Sequence, residues 1–211
     1  MKKWIAALFP FLFAGCQSEE EVVSLQEQIQ ALAEVGLILA DGVAESDLME
    51  LEDGSTFKGM PYSELVESMG YEVEREPFTP KCARLWVCDF EQISGDGSYR
   101  AILERLEQMT GQQLGVNEIR DRVDFDQEVA WVEFEFQGQA IHWDFAFSSD
   151  WLDPSIFVHY DSLLKESGSQ LRLYANAKDF GQTMFFAALT PTEILELIGL
   201  TGGEWAEFAD S

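Results

Sequence analysis

The chain has 211 residues, of which 39 are acidic and 13 are Lys or Arg, and its formal net charge at neutral pH is −26. This charge argues against nucleic acid and anionic lipid headgroups as partners, because phosphate contacts need clusters of Lys and Arg. Hydrophobic residues make up 46% of the chain, enough for one ordinary domain with a real core.

The N-terminus has the features of a secretory signal. A short positive segment at residues 1–3 precedes an apolar run at residues 4–13. A permanent transmembrane helix needs about 20 residues, so this shorter run predicts a signal peptide rather than a membrane span. We expect the signal peptide to cover residues 1–15.

The segment LFAGC at residues 12–16 resembles the lipobox of bacterial lipoproteins, in which small residues precede an invariant Cys. The resemblance covers only residues 1–16, and the mature domain carries no motif of a known family. It implies cleavage before Cys16, a diacylglyceryl group on the Cys16 sulfur and acylation of the new amino terminus. Each buried methylene contributes about 0.8 kcal/mol, so more than one chain gives a stable anchor.

The residues after Cys16 are glutamine and serine rather than aspartate, which in Gram-negative lipoproteins resembles a signal for sorting to the outer membrane. The implied location is the cell envelope, on the outer membrane facing the periplasm. A plain signal peptide or an uncleaved apolar N-terminus is the alternative. Cleavage would remove two lysines and change the net charge from −26 to −28.

Acidic residues are concentrated in two regions. Residues 19–76 hold 16 acids and 2 bases, and residues 126–211 hold 15 acids and 3 bases. Residues 81–124 are nearer balance, with 8 acids and 6 bases. These bases either form one basic patch or pair with the surrounding acids: Lys81, Arg84, Arg100, Arg105, Arg120 and Arg122.

The region after the signal predicts a tether. Apolar residues at spacings of three and four indicate a short amphipathic helix within residues 19–35, with the stripe Val22, Leu25, Ile29 and Leu32. Residues 41–60 are acidic and contain glycines, as in a linker. We therefore predict an acidic tether at residues 16–60 and a single globular domain at residues 61–211.

Four helices are predicted in this domain, at residues 61–70, 98–111, 155–168 and 190–200. The last helix has the clearest start. Thr190 and Glu193 have the spacing of a capping box, and Pro191 stands at the first helical position.

Two alternating segments at residues 129–136 and 139–147 predict a hairpin with Gln137 and Gly138 as its turn. The predicted register makes one face wholly apolar, with Phe134 opposite Ile141, Val132 opposite Trp143 and Ala130 opposite Phe145. A slip of one residue would bury the acids of the other face, so the register is strongly specified.

Three further strands are predicted, at residues 83–90, 170–177 and 182–189, the last two forming a second hairpin. Because helices separate antiparallel pairs, the fold class is α+β, with helices packed on one face of an antiparallel sheet.

Cys82 and Cys88 are the cysteines of the predicted domain. Export to an oxidising compartment favours a disulfide. If both lay in one strand, however, their Cα atoms would be about 20 Å apart, and a disulfide needs less than about 7 Å. A bend after Pro80 would remove this obstacle, so a disulfide and free thiols both stay open.

The hairpin register places His142 beside Glu133 and near Asp144 on the polar face, which makes these residues candidates for acid/base catalysis or for a metal site. Asp144, Asp150 and Asp153 are weak candidate ligands for a hard cation such as calcium. The simpler alternatives are a cross-strand surface pair for His142 and a helix start at Asp153. No motif in the sequence calls for a cofactor.

Three functions follow, and we favour the first. An anchored module would capture a basic protein, with Trp151 and Trp205 as aromatic anchors. In outline only, a small acidic α+β lipoprotein resembles the immunity proteins that protect bacteria from envelope toxins. The alternatives are an envelope enzyme with a deep pocket around Glu133, His142 and Asp144, and an assembly lipoprotein that uses an exposed stripe on the tether helix.

Overall fold

The computed structural model describes residues 23–48, 62–176 and 181–208. The predicted signal peptide, Cys16 and most of the predicted linker lie outside these residues, so what the sequence indicates for them stays a prediction. None of the described helices has the length and hydrophobicity needed to span a lipid bilayer.

The described residues form six helices and seven strands. In chain order they are α1 (Leu25–Glu34), α2 (Glu45–Leu48), α3 (Ser63–Met69), β1 (Leu85–Asp89), α4 (Ser98–Met109), β2 (Asn117–Asp124), β3 (Val129–Phe136), β4 (Gln139–Phe145), α5 (Ser155–Glu166), β5 (Arg172–Asn176), β6 (Thr183–Leu189), α6 (Pro191–Thr201) and β7 (Trp205–Glu207). The predicted α+β class with antiparallel strands is confirmed.

The strands form two antiparallel sheets, where the sequence led us to expect one. The four-stranded sheet has the order β1-β6-β5-β7, and the three-stranded sheet has the order β2-β3-β4. The first sheet depends on the pairing of β1 with β6, in which Leu85 lies opposite Ala187. The local alternation of either strand does not encode this long-range pairing.

The hairpin of β3 and β4 has the predicted register, with Phe134 opposite Ile141 and Glu133 opposite His142. Gln137 and Gly138 have φ angles of 51° and 73°. Two successive positive φ values are typical of a type I′ turn, whose twist matches that of the flanking strands.

Two core clusters hold the layers together. In the first, α4 and α5 pack between the inner faces of the two sheets, and residues such as Tyr99, Phe157, Val132 and Phe186 are buried there. Tyr99 stacks on Phe145 with ring centroids 4.1 Å apart. Helices therefore cover one face of the three-stranded sheet, as predicted, and the other face of that sheet stays polar.

The second cluster covers the opposite face of the four-stranded sheet. It joins α1, α2, α3 and α6 to this sheet through residues such as Leu32, Leu48, Leu65 and Leu197. The four-stranded sheet is thus covered on both faces. The helix predicted within the tether begins with a capping box at Ser24, and it packs into the same core as α3.

Val22 lies outside the described residues, and the described part of the stripe on α1 is not an exposed surface. Leu32 is fully buried, and Leu25 and Ile29 are partly buried against the second cluster. Residues 23–48, which we assigned to the tether, therefore pack on the domain that we predicted to begin at residue 61.

Candidate functional site

The predicted trio Glu133, His142 and Asp144 lies on the polar face of the three-stranded sheet. The Nδ1 atom of His142 is 3.6 Å from Glu133 Oε2, and its Nε2 atom is 3.2 Å from Asp144 Oδ1. Glu133 also pairs with Arg120, whose Nη2 is 2.9 Å from Glu133 Oε1. The structure thus brings the three residues together, and Arg120 adds a fourth charged group to them.

This trio lies open to solvent. The side chains of His142 and Asp144 are 46% and 84% exposed, and the imidazole rests on Trp131 with ring centroids 5.3 Å apart. The three described cavities are lined by other residues. The arrangement is a cross-strand surface network on a solvent-exposed face of the sheet.

The candidate cation ligands have separate roles. Asp153 accepts hydrogen bonds from the Ala146 and Ser155 N–H groups, at 2.7 and 2.9 Å, so its carboxylate orders the loop before α5. Asp144 faces His142 instead. In the described part of the chain, no group of three His, Cys, Asp or Glu side chains is placed to hold a metal ion.

Cys82 and Cys88 are free thiols in the structure, and both are buried. Burial raises the pKa of each thiol above its ordinary value. These thiols are therefore poor nucleophiles at neutral pH, since only the thiolate reacts readily.

A cleft of about 520 Å³ lies along the outer edge of β1. Its opposite wall is the loop at residues 71–80. We call it the aromatic–acidic cleft, because its walls include Tyr71, Glu72, Glu74, Phe78, Trp86 and Asp89. Phe78 is 62% exposed, which is unusual for a phenylalanine.

Backbone contacts set the shape of this cleft. Gly70 ends α3, and its carbonyl accepts a 2.9 Å hydrogen bond from the Val87 N–H in β1. A Cβ atom at Gly70 would lie 2.6 Å from the Phe185 ring and 2.9 Å from Val87, so only glycine permits this approach. The loop then folds back on itself through the Val73 N–H, which donates to the Thr79 carbonyl.

The charges of the cleft are layered. Its carboxylates, Glu72, Glu74 and Asp89, are on exposed residues, whereas the Lys81 side chain is buried beneath them. Arg105 lies 6.0 Å from the Trp86 ring centroid and donates to the Leu85 carbonyl. Burial lowers the pKa of Arg105 to about 10, although the negative charge of Glu72 acts to raise it. An approaching molecule therefore meets carboxylates first.

The other bases of residues 81–124 form ion pairs, which was one of the two predicted alternatives. The pairs are Arg84 with Glu193, Arg100 with Glu104, Arg120 with Glu133 and Arg122 with Asp124. The outward-facing excess of charge is accordingly acidic.

Of the two predicted aromatic anchors, Trp151 is 41% exposed, but Trp205 is partly buried and its ring centroid lies 5.2 Å from that of Phe185. Sequence reasoning missed Phe78. The segment EREPFTPK contained the signal that could have identified it, because Phe78 is an aromatic residue among prolines and charged residues there.

No protein-family model, no curated protein and no solved structure matches this chain.

Proposed function

We propose that the chain is an envelope lipoprotein whose folded part captures a basic protein. The observation that carries this proposal is the aromatic–acidic cleft, where the exposed Phe78 ring stands among outward-facing carboxylates. Large aromatic side chains at the centre of a charged rim are typical of residues that dominate binding energy.

The chemistry of the cleft fits a Lys- or Arg-rich segment. The carboxylates of Glu72, Glu74 and Asp89, together with the net charge of −26, would accelerate the approach of a cationic partner. The faces of Phe78 and Trp86 would then contact the alkyl stem and the charge of a Lys or Arg side chain.

A pull-down from cell envelopes at low and high salt tests this function. The full chain should retain one stoichiometric basic protein at low salt and lose it at high salt, because exposed charges are screened. Phe78→Ala should lose the partner at both salt concentrations.

The matched control is Leu195→Ala, because Leu195 is an equally exposed apolar residue, at 68%, and lies outside the cleft lining. It should bind the partner as the unmodified chain does. Retention of the partner by Phe78→Ala, or binding that does not respond to salt, would contradict the proposal.

We further propose that acyl chains on Cys16 anchor the protein to the outer membrane, on the residues that resemble a lipobox. Cys16→Ala should move the protein from the membrane fraction to the soluble fraction. Cys88→Ala is the control, since it removes a buried thiol and should leave the protein membrane-bound. A Cys16→Ala variant that stays in the membrane fraction would refute the anchor.

A further inference from the structure

Strand β4 forms an outer edge of the three-stranded sheet. Because a two-residue turn joins β3 to β4, Phe136 and Gln139 form a hydrogen-bonded pair. The backbone N–H and C=O groups of every second residue of β4 after Gln139 also point toward β3. The N–H and C=O groups of Ala140, His142 and Asp144 therefore point away from the sheet. Within the described residues, these six groups have no hydrogen-bond partner.

The other long edges are partly covered or interrupted. At β1, the Val87 N–H donates to the Gly70 carbonyl and Arg105 donates to the Leu85 carbonyl. At β2, the Val123 N–H donates to Asp96 Oδ1 at 2.8 Å, and the pairing with β3 is irregular before Arg120. The remaining edge strand, β7, has three residues. Proteins usually cover or interrupt their sheet edges, and within the described residues β4 differs from β1 and β2 because none of its outward backbone groups is bonded.

The side chains along β4 favour a particular kind of added strand. On the polar face, Asp144 is exposed and Glu133 lies beside His142. On the other face, Ile141 and Trp143 are only partly buried, although they pack against the core. A strand added here would bury Ile141 and Trp143 further with its apolar residues and set its alternate residues beside Asp144, with Glu133, which also pairs with Arg120, one strand further away.

We propose that β4 binds an extended segment of a partner protein as a fourth, antiparallel strand, in which basic residues alternate with apolar residues. In antiparallel pairing, the residues opposite Ala140, His142 and Asp144 lie on the polar face, so these are the basic ones. A second copy of the chain is disfavoured, because it would bring a net charge of −26 against the same charge. This site is separate from the aromatic–acidic cleft and does not rest on it.

The test uses the full chain in detergent solution and a labelled peptide of alternating lysine and valine, seven residues long. The comparison peptide carries an N-methyl group on the backbone nitrogen of every lysine. It has the same charge, but its lysines, whose N–H groups would face β4 in the proposed pairing, have no N–H to donate. The first peptide should bind with slowed hydrogen exchange at the Ala140, His142 and Asp144 amides, and the methylated peptide should bind at least tenfold more weakly.

A pair of variants at one position tests the same edge from the protein side. Ala140→Pro removes an N–H that the pairing with β3 does not use, so the sheet should still form. Ala140→Val keeps this N–H and is the matched control. Binding of the unmethylated peptide should fall at least tenfold in Ala140→Pro and persist in Ala140→Val.

Three results would overturn the proposal. The first is equal binding of the methylated and unmethylated peptides to the unmodified chain, because binding would then depend on charge alone. This comparison does not require any variant to fold. The second is unchanged peptide binding by a folded Ala140→Pro variant. The third is a dimer in sedimentation that Ala140→Pro abolishes, which would make a second copy the occupant of β4.

Discussion

Glu193→Gln tests the contact that joins α6 to the rest of the fold. Both carboxylate oxygens of Glu193 accept hydrogen bonds from Arg84, at 3.0 and 3.1 Å, and Oε2 also accepts from the Thr190 N–H at 2.7 Å. Glutamine retains the bond to Thr190 but loses the charge and one branch of the paired contact. Arg84 keeps its bonds to the Ala188 and Gly36 carbonyls.

The expected loss of stability lies between two known cases. Exposed ion pairs contribute about 0–1 kcal/mol, and breaking a buried pair costs about 3–5 kcal/mol. The Arg84 and Glu193 side chains are each 24% exposed. We therefore expect Glu193→Gln to lower the free energy of unfolding by about 2 kcal/mol at pH 7.

This loss should depend on pH in a defined direction. Burial raises the pKa of Glu193, but the hydrogen bonds from Arg84 and Thr190 outweigh burial and leave the pKa below its ordinary value. Because the pKa is lower in the folded state, ionisation stabilises the fold above the unfolded-state pKa of about 4.3. This contribution is lost as the pH falls through the folded-state pKa, so the variant should approach the unmodified chain in acid.

Urea unfolding followed by tryptophan fluorescence at pH 7 and pH 3.5 measures both effects. The control is Glu104→Gln, which removes the exposed pair with Arg100 and should change the free energy of unfolding by no more than about 0.5 kcal/mol. A Glu193→Gln effect as small as that of the control, or equal at the two pH values, would refute the reasoning.

Three further predictions concern buried groups. Phe134→Asp should unfold the domain in circular dichroism, because it buries a charge without a partner, and unchanged stability would contradict the hairpin register. Tyr160→Phe should cost about 2 kcal/mol in urea unfolding, because the Tyr160 hydroxyl donates to the buried Glu107 carboxylate at 2.5 Å; no loss would contradict this role. Cys82 and Cys88 should resist a thiol reagent when folded and react in urea, whereas two unreactive cysteines in urea would reveal a disulfide.

The sequence alone predicted the elements whose cause is local. The hairpin register followed from alternation with a period of two, since any slip would exchange the apolar face for the acidic one. The start of α6 followed from the Thr190 and Glu193 capping box, which needs four consecutive residues. The candidate trio around His142 followed from the same register, and the structure brings it together on an open face.

Features that need contacts between distant segments were decided by the tertiary structure. Strand β2, with the sequence NEIRDRVD, shows no clear alternation and exists because β3 pairs with it. The burial of α1 depends on apolar residues from α3, α6 and the four-stranded sheet. The aromatic–acidic cleft likewise forms only where Gly70 meets Val87, and the edge of β4 is open because no other described segment pairs with it. Local patterns specify single elements, whereas the free energy of packing selects which elements meet.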